Sequence, residues 1–137
     1  VTGVQTCALP ILRSELKSVC SHHHQPVTGT AYIGILPDQE VIGLSKYTRI
    51  AQWVARRGTL QEQLCNDITR QIQAATGTED VAVYIGAVHG CCENRGIAAH
   101  SSLTQTTVLR GAFGSDTGTK KEFMDNIKLQ QSYACDR

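Results

Sequence analysis

Two segments, Leu12 to Cys20 and Val27 to Leu36, carry the residue pattern of strands on either side of a histidine-rich turn, and Pro37-Asp38 closes the second. From Lys46 to Arg57 the period changes to that of a helix, with Tyr47, Ile50, Ala51 and Val54 on one stripe. A second helix is predicted from Leu60 to about Thr76, where Leu60, Leu64, Ile68, Ile72 and Ala75 share a face and Gly77 stands ready to end it. Val81, Val83, Ile85 and Ala87 alternate with their neighbours as a strand, as do residues Leu103 to Val108. A last helix is expected from Thr119 to about Gln131, opening on a capping box, Thr119-Lys120-Lys121-Glu122.

The order ββααββ predicts an α+β layer: an antiparallel sheet with helices on one face. Four strands covered on one side leave the other face and both edges unburied, so the pattern predicts an assembly of more than one copy. No internal repeat or low-complexity segment is visible.

Composition narrows the class. At 137 residues the chain is one domain, large enough for a core. Lys and Arg total 13 against 12 Asp and Glu, so no general pull toward nucleic acid or anionic membrane is expected and any anion site must be local. No apolar run approaches the roughly 20 residues that span a bilayer. Residues 1–11, Val-Thr-Gly-Val-Gln-Thr-Cys-Ala-Leu-Pro-Ile, read as the in-frame translation of a sequencing-library adapter, which leaves 12–131 as the domain and 132–137 as a tail. Setting Cys7 aside, the other cysteines are odd in number and irregular in spacing, which fits reduced thiols and a cytoplasmic location.

Those thiols carry the chemistry. Cys20-Ser21-His22-His23 and His89-Gly90-Cys91-Cys92 offer soft sulfur ligands with imidazoles beside them. Two thiolates and one imidazole make a three-ligand zinc set with an open fourth position for water, whose proton is then lost near neutral pH. Taken alone, the same residues also suit a closed structural zinc site or a reduced core.

Further motifs separate these readings: Gly43-Leu44-Ser45-Lys46 followed by Arg49, then Gln61-Glu62, then His89-Gly90-Cys91 with Arg95-Gly96. In order and spacing, from about Leu16 to about Gln130, the chain resembles GTP cyclohydrolase I. The resemblance implies the tunnelling fold, in which such sheets close into a multi-subunit barrel, here a homodecamer of two stacked pentamers. It implies Zn2+ held by Cys20, His23 and Cys91, with Cys91 and not Cys92 in the ligand register, and His22 as the proton-transfer group beside the metal. His24 and His100 match no family position.

The remaining roles come from the same source. Glu62, with Gln61, is expected to bind the guanine edge, where two carboxylate oxygens accept from the ring N–H and the exocyclic amine. The competing reading makes Thr59-Leu60-Gln61-Glu62 a capping box. Lys46 and Arg49 stand one turn apart at a helix start, disfavoured there by the helix dipole unless an anion docks between them. With Arg95 they are expected to hold the triphosphate. The implied reaction is hydrolysis of GTP at C8 of guanine with release of formate, then a ribose rearrangement in which His89 and Ser45 take part, yielding 7,8-dihydroneopterin triphosphate. Ser21 departs from the family's usual glutamate, and the family's helical segment before the zinc motif is not seen ahead of it here. A catalytically silent, zinc-stabilised assembly module is the alternative, against which His22, His89 and Glu62 argue. A nucleobase deaminase is disfavoured because H-x-E with P-C-x-x-C is missing.

Overall fold

The structure, a computed structural model, describes residues 10–19, 26–38, 42–89 and 103–135. Four strands form an antiparallel sheet in chain order: β1 (Ile11–Val19), β2 (Pro26–Ile35), β3 (Val81–His89) and β4 (Thr104–Leu109). Between β2 and β3 lie α1 (Leu44–Ala55) and α2 (Gln61–Thr76), and after β4 come a single turn, α3 (Ala112–Ser115), and α4 (Thr117–Cys135). The expected ββααββ order with an antiparallel sheet therefore holds.

Alternation along the strands sorts the core onto two faces. Ala31, Ile33 and Ile35 of β2 and Val81, Val83 and Ile85 of β3 are buried against Ala51, Val54 and Ala55 of α1 and Leu64, Ile68 and Ile72 of α2. This is the face on which the sequence pattern puts helices. The intervening residues, Tyr32, Ala82 and Tyr84, point the other way and pack with Phe113, Phe123 and Ile127. The C-terminal helices thus cover part of the second face, a placement that periodicity did not supply. Gly34 makes it possible: a Cβ there would lie 2.7 Å from Cδ1 of Phe123, whose ring sits edge-on to Phe113 with centroids 5.6 Å apart. Beyond that contact the second face turns polar, with Glu15, Lys17, Thr28 and Gln105 exposed. Neither β1 nor β4 has a further strand beside it among the described residues.

The helix ends correct two expectations. Leu60, not Thr59, is the residue before α2, and no side chain caps that end. The Thr59 hydroxyl instead donates to the Leu60 carbonyl at 3.2 Å. The helix begins one residue late because Gln61 is drawn into the sheet, as described below. At the last helix the cap lies three residues before the expected Thr119. Asp116 accepts from the Gly118 N–H at 3.2 Å and from the Thr119 hydroxyl at 2.7 Å, so α4 opens at Thr117. The predicted stop of α2 is observed: Gly77 has φ of 74° and its N–H donates to the Gln73 carbonyl at 2.9 Å.

Candidate functional site

The strand register puts the strand ends that flank the two thiol-bearing segments at one end of the sheet. Val19, the last residue of β1, pairs with Pro26, the first of β2, so the segment 20–25 connects them at that end. Val27 pairs with His89, the last residue of β3, so β3 ends beside the start of β2 at that same end. Cys20, His22, His23, Cys91, Arg95, His24, Cys92 and His100 themselves lie outside the described residues, and of His89 only the backbone is described. Two thiols and an imidazole suit one zinc ion in donor chemistry, and the strand ends that lead to them, Val19 and His89, lie on either side of β2 at the same end of the sheet. Among the described residues no group of three His, Cys, Asp or Glu could hold a metal.

Cys65 is not a competing ligand. Its thiol is buried in α2, bonded weakly to the carbonyl of Val83 at 3.5 Å and that of Thr106 at 3.9 Å. Burial pushes its pKa up to about 12, against smaller opposing effects of a backbone hydrogen bond and of Arg110, so it stays a thiol at neutral pH.

Gln61 and Glu62 stand at the same end as the thiol segments. The Gln61 side chain is buried, and its amide nitrogen donates to the carbonyls of Thr104 at 2.9 Å and Ile85 at 3.3 Å and to the Thr106 hydroxyl at 3.1 Å. Thr104 lies opposite Ala87, just before His89 along β3. The glutamine is therefore a clamp between the start of α2 and strands β3 and β4, a role its sequence context did not announce. It fixes where the next residue points. Glu62 is exposed in the first turn of α2 and lines an open groove of about 470 Å³ with Leu60, Gln63, Asn66, Arg70 and Arg110. Asn66 and Arg110 were not singled out by the sequence, since neither belongs to a motif.

Ser45, Lys46 and Arg49 occupy the first two turns of α1, all exposed. Gly43 precedes the helix without a side-chain cap, and no acidic residue lies in the first turn to offset the cations. This end faces away from the thiol segments. At the other end of α1, Ala55 accepts a hydrogen bond of 2.7 Å from the Ser18 hydroxyl, and Gly58 lies against the Val19 carbonyl. With a rise of 1.5 Å per residue, Ser45 is about 15 Å from Ala55 along the axis. Within one chain, then, Glu62 stands toward the thiol end of the sheet, whereas the Lys46 and Arg49 cations stand at the far end of α1.

The family model described as GTP cyclohydrolase I matches residues 11–128. The chain belongs to the GTP cyclohydrolase I family. It is 43% identical over 116 residues to the GTP cyclohydrolase 1 of Flavobacterium johnsoniae, covering 85% of this chain and 52% of that protein. To that of Pseudoalteromonas translucida it is 40% identical over 114 residues, covering 83% of this chain and 62% of the relative. The chain thus spans about half to three-fifths of the length of these curated relatives. Among solved structures, the archaeosine synthase QueF-Like in the apo form superposes with a TM-score of 0.61 at 16% identity, over 73% of this chain and 90% of that one. At that identity the likeness is one of fold, and it agrees with the tunnelling fold expected for a GTP cyclohydrolase I family member. No helix among the described residues is long and apolar enough to cross a membrane.

Proposed function

We propose that this chain is the zinc-dependent catalytic part of a GTP cyclohydrolase, hydrolysing GTP at C8 of guanine, releasing formate and forming 7,8-dihydroneopterin triphosphate. The observation that supports this reading is the register of β1, β2 and β3, which puts Val19, Pro26 and His89, the strand ends that flank the Cys20 and Cys91 segments, at one end of the sheet, the end toward which Glu62 stands. Cys20, His23 and Cys91 would hold the zinc. Bound there, zinc supplies a Lewis acid for hydrolysis of the guanine ring.

The other steps fall to the chain's own groups. Glu62 orients the base by accepting from its ring N–H and 2-amino group. The lack of any capping bond at the start of α2 favours this role over the capping one. His22 delivers a proton to the imidazole nitrogen of guanine as its ring opens, and His89 and Ser45 serve the later rearrangement. Lys46, Arg49 and Arg95 anchor the triphosphate, which keeps the distant reacting end in place.

A homo-oligomer, a decamer of two pentamers, completes the site in this reading. Lys46 and Arg49 stand about 15 Å from the thiol end of their own chain, so cations from one copy serve the base pocket of another. Two sheet edges with no further strand among the described residues and the half-exposed Val19, Trp53 and Leu103 are consistent with such contacts. The product's use in folate, biopterin or 7-deazaguanine synthesis and a cytoplasmic setting belong to the same proposal.

The test uses the full-length protein: metal content by mass spectrometry and turnover of GTP followed by fluorescence of the oxidised pterin. About one zinc per subunit and a fluorescent product are expected, with turnover lost on chelation and restored by zinc. Zinc binding with no product from GTP would favour the silent assembly module.

A further inference from the structure

We infer that Arg110 is a specificity-determining residue that donates to the 6-position oxygen of the purine, beside Glu62; the inference rests on Glu62 reading the guanine edge. Two elements converge on the groove. Glu62 stands in its first turn of α2, Asn66 one turn on, and Arg110 reaches in from the end of β4. Asn66 donates its side-chain N–H to the Glu62 carbonyl at 3.1 Å, which turns its amide oxygen outward, and that oxygen accepts from Nη2 of Arg110 at 3.0 Å. The guanidinium is thus held by the same stretch of helix that presents the carboxylate.

Its charge is not neutralised there. The other cation in the groove, Arg70, is ion-paired with Asp67, and that is the sole ion pair among the described residues. Arg110 instead rests on a neutral amide, and a guanidinium has five N–H donors, so one bond to Asn66 leaves others to offer.

A carboxylate and a guanidinium in one groove match one purine edge. Guanine presents, side by side, an acceptor at position 6, a donor at ring position 1 and a donor amine at position 2. Two carboxylate oxygens take the adjacent donors, and a planar cationic donor takes the oxygen. Adenine has an amine at position 6, which sets donor against donor. Arg110 so placed supplies the part of base selection that Glu62 cannot, because Glu62 senses only positions 1 and 2.

The experiment compares GTP with 6-thioguanosine triphosphate, in which a poor acceptor replaces the oxygen while positions 1 and 2 are kept, and with inosine triphosphate, which keeps the oxygen and lacks the amine. In the full-length protein kcat/KM is expected to be at least about tenfold higher for GTP than for the thio analogue. Arg110→Ala should lower kcat/KM for GTP and inosine triphosphate by the same factor, about tenfold, and scarcely change it for the thio analogue, so that the preference collapses. Arg110→Lys should retain part of it, and carries the test if the alanine variant fails to fold. A GTP preference over the thio analogue unchanged in both variants, or absent from the parent, overturns the inference. Glu62→Gln separates this from failure of the underlying reading. If it penalises GTP more than inosine triphosphate while the Arg110 variants leave the ratios intact, only the role of Arg110 falls; if Glu62→Gln leaves GTP turnover unaltered, the base-reading groove falls with it.

Discussion

Gln61→Leu separates a structural clamp from a substrate contact. The glutamine nitrogen satisfies two strand carbonyls and the Thr106 hydroxyl from a buried position. Leucine fills similar space but donates nothing, so acceptors at the β3–β4 junction lose their partner at a cost of about 1–3 kcal/mol. Taking about 2 kcal/mol, and about 4 °C per kcal/mol for a domain of this size, the melting temperature without nucleotide should fall by about 8 °C. Gln61→Glu should cost more, because a carboxylate oxygen then meets the acceptor oxygens that the amide nitrogen had served. Glu62 stands on the turn that this clamp fixes, so KM for GTP should rise together with the loss of stability. Thermal unfolding of the nucleotide-free protein, paired with steady-state kinetics, reads both effects. A raised KM with an unchanged melting temperature would refute the clamp and return Gln61 to a direct substrate role.

Cys20→Ser or Cys91→Ser should abolish zinc binding while Cys92→Ser retains it, and metal analysis of the purified variants decides; metal lost only in Cys92→Ser would move the ligand register by one. Gly34→Ala should destabilise by about 1–3 kcal/mol in denaturant unfolding, since the new methyl meets the buried Phe123 ring 2.7 Å away, and Phe123→Leu should recover part of the loss. The Thr119 hydroxyl first, and then the Gly118 N–H, hold the Asp116 carboxyl below its ordinary pKa of 3.8. Its stabilising contribution is therefore present above pH 3.8 and lost as the pH falls through the lower folded-state value. Asp116→Asn, which keeps an acceptor but cannot ionise, should show a shallower loss of melting temperature in acid; curves that superimpose would remove Asp116 from the acid response.

Local pattern was enough for much of this molecule. Period-two and period-3.6 apolar spacing placed four strands and the two central helices, because burial on one face is written directly into side-chain order. Gly77 marked its helix end since a left-handed turn needs a residue without Cβ. The motifs likewise pointed to a family, and to the residues proposed to carry its reaction, as metal ligands and a guanine-reading carboxylate have few chemical substitutes.

What no local pattern contained was set by distance along the chain. Phe123 and Phe113 pack on the face of the sheet opposite the central helices because Gly34, some ninety positions earlier than Phe123, leaves them room. Gln61 looked like part of a capping box or a substrate contact, yet its amide is claimed by strand carbonyls more than twenty positions away. That claim moves the helix start off Thr59 and aims Glu62 into its groove. Arg110 belongs to no motif; only the closing of β4 onto α2 brings it to Asn66. Spacing also listed Lys46 and Arg49 with the metal ligands as one site, whereas the helix they begin runs its full length before reaching the thiol end. Sequence determines which chemistry a segment can offer, and tertiary packing determines which segments meet.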